Sequence, residues 1–354
     1  MMKMAGIKLL QAPDYTEEER QALIDFVLAL RKSLVQGLLG QLELPRSGTK
    51  PDLRERLQEA LDQGHVTHEQ LVEFLDSVAP WGKQHVFLYV GPPGDLKHWK
   101  DPDHVHRHLK DHRVGKYFNA RLPLILPDKL ALSSITYSGN VLRVAAVQKR
   151  EYEERRHEYD ERKESDTGKL ITLKAYMQHV SRTIVTFEWD LNANTAMLQI
   201  TQLQKDTLYE EVEREFFALV ASWLDRKLFG VIDLRKVVRK LHELENDHVA
   251  DTRSHGIHYL SLRGRRVSVH SPSPRDSVVG EPDIDNAMEI VRKNTPGHGG
   301  NFYWLAGTQP GPVSNPLVTD VHVVIVAAKS RVNFKTPNSE GVVRYVLHRV
   351  RALG

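Results

Sequence analysis

The residues best suited to chemistry in this chain are histidines. The run Asp101-Pro102-Asp103-His104-Val105-His106-Arg107-His108-Leu109-Lys110-Asp111-His112 sets His104, His108 and His112 at four-residue steps, on one face of a helix. Two imidazoles so spaced can chelate zinc. The run has no Glu in an HExxH arrangement, and a catalytic ion also needs a third ligand and an ordered outer shell, so no metal site is expected. The expectation is a polar helix beside a loop, protonatable at mildly acid pH, with Lys97, Lys100, Arg107 and Lys110 able to face phosphates. A second candidate is acidic: Glu281-Pro282-Asp283-Ile284-Asp285, with Ala327-Ala328-Lys329 closing an apolar run. A metal-dependent nuclease would want a carboxylate two positions before such a lysine, where Ala327 stands. Pro296-Gly297-His298-Gly299-Gly300 lacks the Lys-Ser/Thr of a phosphate-binding loop and reads as a flexible turn. With no Ser-His-Asp elbow, catalytic residues stay unassigned and no cofactor is expected. The absence of cysteine excludes disulfides, thiolate catalysis and Cys-ligated metal clusters.

The most specific pattern serves binding. In Leu42–Leu57, Leu38, Leu42 and Leu44 are spaced to meet Leu53, Leu57 and Ala60 across a helix pair. Pro45 stops the first helix, and Gly48 permits a tight or positive-φ turn. Thr49 is placed to cap the second helix, whose first turn holds Lys50 and Pro51. The amides and positive dipole end of that helix favour a phosphate, with Arg46, Lys50 and Arg54 adding charge. Such a site holds a duplex backbone without reading bases.

This pattern resembles the SAP family, through Leu44-Pro45, Ser47-Gly48-Thr49-Lys50 and Leu53-Arg54-Glu55-Arg56-Leu57. The resemblance covers residues 31–64 only. It implies a two-helix DNA-binding module joined by an extended turn, with a preference for AT-rich or shape-defined sites. Carried over, it nominates Arg46, Gly48, Thr49, Lys50 and Arg54 as DNA contacts. One position departs: many members have Gly where this chain has Glu43, a carboxylate that would disfavour phosphate approach on that side. A second basic group, Arg263-Gly264-Arg265-Arg266, reads as a hairpin tip able to clamp phosphates, so Arg263, Arg265 and Arg266 join the candidates. Arg344, His348 and Arg351 form a basic stripe on a terminal amphipathic helix.

The elements that must position these groups follow from periodicity. Residues 16–78 read as three or four helices, with capping boxes at Thr16/Glu19 and Thr67/Gln70. Short strands begin at His85–Val90, and β signals dominate from Leu122. They are interrupted by helices at 206–226, Asp233–Glu245, Asp285–Lys293 and Ser339–Ala352. Tyr137-Ser138-Gly139 reads as a hairpin turn, and the acidic run 151–166 as a solvated loop or short charged helix between strands. The expected class is α+β: an N-terminal helical SAP-like domain (1–80), a connecting His-rich basic segment (81–126) and a largely antiparallel α+β body (127–354, with a subdivision near 203–255). Apolar residues make up 40% of the 354-residue chain, and no run approaches the ~18 needed to span a bilayer. Met1–Leu10 is too short and too weakly apolar for a secretory signal. The net charge of +3 permits nucleic-acid binding without requiring it. The expectation is a cytoplasmic, DNA-associated, non-enzymatic adaptor that binds double-stranded DNA with low sequence specificity, alone or with a protein partner or a second copy. Two alternatives stay open: a nuclease-like enzyme with its site in the body, and a protein-interaction scaffold.

Overall fold

The computed structural model describes residues 15–78, 81–164, 166–203, 207–247, 250–261, 263–308 and 314–354. The Met1–Leu10 reading, the stop at Pro80 and the start of the helix at 206 lie outside them. Two compact units are present: Met1–Ala79 with Pro123–Leu126, and Pro80–Leu122 with Pro127–Gly354.

The first unit is helical: α1 Glu17–Ala29, α2 Lys32–Gln41, α3 Lys50–Asp62 and α4 His68–Val78. Three- and four-residue spacing turns Leu23, Ile24 and Val27 of α1, Leu38 and Leu39 of α2, and Leu53 and Leu57 of α3 into one core. Reciprocal capping boxes start α1 and α3, and Thr67 with Gln70 starts α4 in the same way. The end of α2 is a Schellman motif: Glu43 takes φ 58°, Leu44 N–H donates to Leu39 O at 2.7 Å, and Glu43 N–H to Gly40 O at 3.3 Å. Helix α2 therefore ends at its own cap, before Pro45 is reached.

The second unit is α+β. Its strands are β1 Gln84–Val90, β2 Ala131–Ser138, β3 Val141–Arg155, β4 Glu161–Glu164, β5 Leu170–Leu173, β6 Tyr176–Asp190, β7 Thr195–Thr201, β8 Gly230–Val231, β9 Thr252–Leu260, β10 Arg266–His270, β11 Gly297–Trp304, β12 Val321–Val326 and β13 Arg331–Phe334. Its helices are α5 Lys97–Lys100, α6 Pro102–Asp111, α7 Tyr209–Val220, α8 Leu234–Asn246, α9 Pro282–Asn294 and α10 Glu340–Leu353. One antiparallel sheet runs β10-β9-β11-β12-β13-β1-β7-β6-β3-β2, with β8 pairing the end of β1. Residues 81–122 are thus no connector: β1 is a central strand, buried along most of its length.

Alternation along β1 feeds two separate cores. Val86 and Leu88 join the core under α8, α9 and α10, with Tyr259, Phe302, Trp304 and Val323 from the β13-to-β10 half. Phe87 and Tyr89 join the core under α6 and α7, with Leu142, Phe187, Trp189 and Leu198 from the β7-to-β2 half. Helices therefore lie mainly against opposite faces in the two halves, and α10 also reaches the second face of the β7-to-β2 half through Arg344 and Arg351.

Three local expectations are corrected. The acidic run 151–166 is largely strand: β3 continues to Arg155 in register with β6 (Arg155 opposite Tyr176), a 3-10 turn spans His157–Tyr159, and Glu161–Glu164 form β4, which pairs β5. Charged residues suit a ribbon solvated on both faces; the Arg155–Asp160 ion pair and the Ala175 N–H to Asp160 hydrogen bond tie its turn. The 296–300 stretch is no flexible turn, since Gly297–Gly300 begins β11. A Cβ at Gly299 would stand 2.7 Å from Ile325 O, and one at Gly297 2.8 Å from Arg235 O, so the glycines let backbones approach. The β2–β3 turn is Gly139-Asn140, both at positive φ, rather than Tyr137-Ser138-Gly139.

Candidate nucleic-acid interface

The turn between α2 and α3 is tied from within. Arg56 donates to Pro45 O and Ser47 O at 2.8 Å each, and Gln36 Nε2 donates to Arg46 O at 2.9 Å. Gly48 has φ 130°, which lets the chain reverse into the Thr49 cap. Arg46 and Lys50 are exposed, and no ion pair joins either to another described residue. The Arg46 guanidinium lies over Gly40, close to the carbonyl end of α2, a favourable place for a cation.

Two expectations at this turn change. The start of α3 is not an open amide site. Thr49 N–H donates to Asp52 Oδ2 at 2.7 Å, Asp52 N–H reaches Thr49 Oγ1, and Pro51 has no N–H. The Asp52 carboxylate already stands where a phosphate would sit. Its hydrogen bonds from Thr49, with Arg56 and Lys32 nearby, hold its pKa below the usual range. Arg54 is not free either, because it pairs with Asp25 of α1. Lys32 was missed by sequence reading. It stands far back at the start of α2, and only the helix pair brings it near Asp52.

In the body, Arg263, Arg265 and Arg266 are exposed on the β9–β10 tip and carry no ion pair to a described residue. Gly264 at φ 75° and the Arg265 N–H to Ser261 Oγ bond (2.9 Å) shape the tip. Arg263 and Arg265 line an open pocket of about 370 Å³ with Ser261, Asn294 and Thr295. The histidine stretch forms α5 and α6 as expected of a polar helix. The His104 and His108 rings stand 6.3 Å apart, and His108 Nε2 meets Trp223 O at 3.0 Å. Among the described residues, no group of three His, Asp or Glu side chains is placed to hold a metal. The acidic cluster and Lys329 have separate partners: Asp285 accepts from Gly280 N–H, and Lys329 pairs with Glu210 at 3.2 Å.

Two further groupings escaped sequence reading. On the face of the β7-to-β2 half away from α6 and α7, buried Glu188 takes hydrogen bonds from Arg143 and from Arg344 of α10, both at 2.7 Å at their shortest. Burial pushes the Glu188 carboxyl up, but the two guanidinium groups outweigh it and hold it below its ordinary value. They border a pocket of about 330 Å³ with Thr136, Ser138 and Asp190. These residues come from β2, β3, β6 and α10, so no local pattern could flag them. On the uncovered face of the β13-to-β10 half, Tyr303 and His322 stack at 4.6 Å, and Arg253 lies over Tyr303 at 5.3 Å. The signal for this face was present as period-two alternation, for instance Val321-His322-Val323 and Phe302-Tyr303-Trp304.

No protein-family model matches this chain, and no curated protein does. Among the described residues, no helix is long and apolar enough to cross a membrane.

Proposed function

We propose that the chain is a non-enzymatic DNA-binding adaptor whose SAP-like α2–α3 turn grips the duplex backbone with low sequence specificity. The observation that carries this reading is the turn itself. It is held by Arg56 and the Thr49–Asp52 box, while Arg46 and Lys50 remain exposed and unpaired. A preorganised loop with uncommitted cations suits phosphates, which fix position without carrying sequence. Because Asp52 fills the start of α3, the contacts are assigned to side-chain charge from Arg46, Lys50 and Lys32 rather than to helix amides. Gly48 and Thr49 shape the turn, and Arg54 braces α3 against α1. The Arg263–Arg266 tip supplies further cations from the body. The test is fluorescence anisotropy of labelled duplex DNA with the full chain and with Arg46→Glu/Lys50→Glu. The expected result is loss of most duplex affinity in the variant with an unchanged circular dichroism spectrum. Equal binding by both proteins would remove the turn from the DNA contact.

A further inference from the structure

The uncovered face of the β13-to-β10 half is built unlike a solvated sheet back. Tyr303 and His322 are register partners on neighbouring strands, and their rings lie within 10° of parallel at 4.6 Å. Arg253 also lies over the Tyr303 ring, 5.3 Å from its centroid, so a cation joins the stacked pair standing on the sheet. Beside it, Val324 lies in register between Asn301 and Asn333, an apolar floor with a carboxamide on each side. Two imidazoles are fixed by serines of β10 or just beyond it: His258 Nδ1 to Ser268 Oγ at 3.0 Å, and His255 Nδ1 to Ser271 Oγ at 2.7 Å. His322 Nε2 is buried without a hydrogen-bond partner among the described residues. The charge is one-sided: Asp320 pairs with Arg253, whereas Arg263, Arg265 and Arg266 at the adjoining tip are unpaired.

We propose that this half-sheet binds single-stranded nucleic acid, the arginines of the β9–β10 tip holding the backbone and the Tyr303–His322 column stacking an unpaired base. Positive charge selects a polyanion. Flat rings and carboxamides select bases whose faces and edges are free, which a duplex keeps inside its own stack. The inference rests on the reading of the chain as a nucleic-acid binder, but not on the α2–α3 turn.

The test uses the full chain, labelled oligothymidylate and labelled duplex at one low salt concentration. Tyr303→Ala should weaken oligothymidylate binding about tenfold, the loss of one stacked base, while Tyr303→Phe keeps it. Arg46→Glu/Lys50→Glu should weaken duplex binding more than it weakens oligothymidylate binding. Ultraviolet cross-linking of an iododeoxyuridine oligomer to the unaltered protein gives a readout independent of any variant's folding, and the cross-link should map to the peptides holding Tyr303 or His322. The proposal is overturned if the parent does not bind oligothymidylate, if the cross-link maps outside β9–β13, or if Tyr303→Ala binds as the parent does. Competition by polyglutamate equal to that of oligothymidylate would also overturn it, pointing to an acidic protein segment instead. Oligothymidylate binding without duplex binding would leave this inference standing and remove the duplex reading.

Discussion

At the scale of single residues, backbone conformation explains more than charge does. Glu43 stands where the SAP pattern that the turn resembles often has glycine, and its carboxylate was expected to matter for phosphate approach. Its left-handed φ of 58° at the Schellman position gives a simpler reason for glycine there, since an L side chain is strained in that conformation. Glu43→Gly should therefore raise stability by about 0.5–1 kcal/mol in urea denaturation followed by circular dichroism. A lower midpoint would show that the side chain has a role outside the cap. Glu188 offers the opposite test. Glu188→Ala takes the shared carboxylate away from Arg143 and Arg344, leaving Arg344 only its ion pair with Glu340. Fully buried pairs lose ~3–5 kcal/mol in this way. Both arginines are partly exposed, so on the order of 2 kcal/mol is expected. Denaturation midpoints of Glu188→Ala and Glu188→Gln decide it, and no loss in either would mean that solvent fully satisfies the arginines.

At the scale of elements, caps and long amphipathic patterns were legible, while ribbons and packed glycines were not. Thr16/Glu19, Thr49 and Asp233 each cap the expected helix, because a cap is a local bond between residues two or three apart. The continuation of β3 into the acidic run 151–166 was hidden, because a strand exposed on both faces needs no apolar alternation. The glycines of β11 misled for a related reason: a missing side chain reads as freedom, although here it admits a neighbouring backbone. Two glycine substitutions should accordingly diverge. Gly299→Ala should lose about 1–3 kcal/mol through overpacking against Ile325 O. Gly37→Ala, in α2 with nothing near its Cβ, should gain up to about 1 kcal/mol. Thermal melts of the two variants check both signs, and a neutral Gly299→Ala would mean that β11 yields easily.

At the scale of the whole molecule, the α+β class was readable from the succession of periods, but the candidate surfaces were only partly so. A turn signature lies in one stretch of sequence. The Tyr303–His322 face and the Glu188 cluster need strand order, which alternation alone does not supply. Buried and half-buried histidines also set a property of the body. Burial lowers His85 to about 3, and His242 and His258 to about 4, so the native state stays neutral where the unfolded chain takes up protons. Between pH 6.5 and these values the unfolded state binds more protons, so stability falls on acidification. The loss should begin below about pH 6.5 and continue to about pH 3–4. Melting temperatures across that range measure it, and His242→Gln should flatten the slope. A flat profile in the parent would contradict the burial of neutral imidazoles.

The central claim is that Arg46 and Lys50 meet duplex phosphates. Its most direct test is the salt dependence of duplex affinity for the parent and for Arg46→Glu/Lys50→Glu. Each phosphate contact contributes a slope of about −0.9 to log affinity against log salt. The expected result is a slope shallower by about 2 in the variant, together with weaker binding at low salt. Parallel slopes at similar affinity would contradict the claim and move the DNA contact away from the turn.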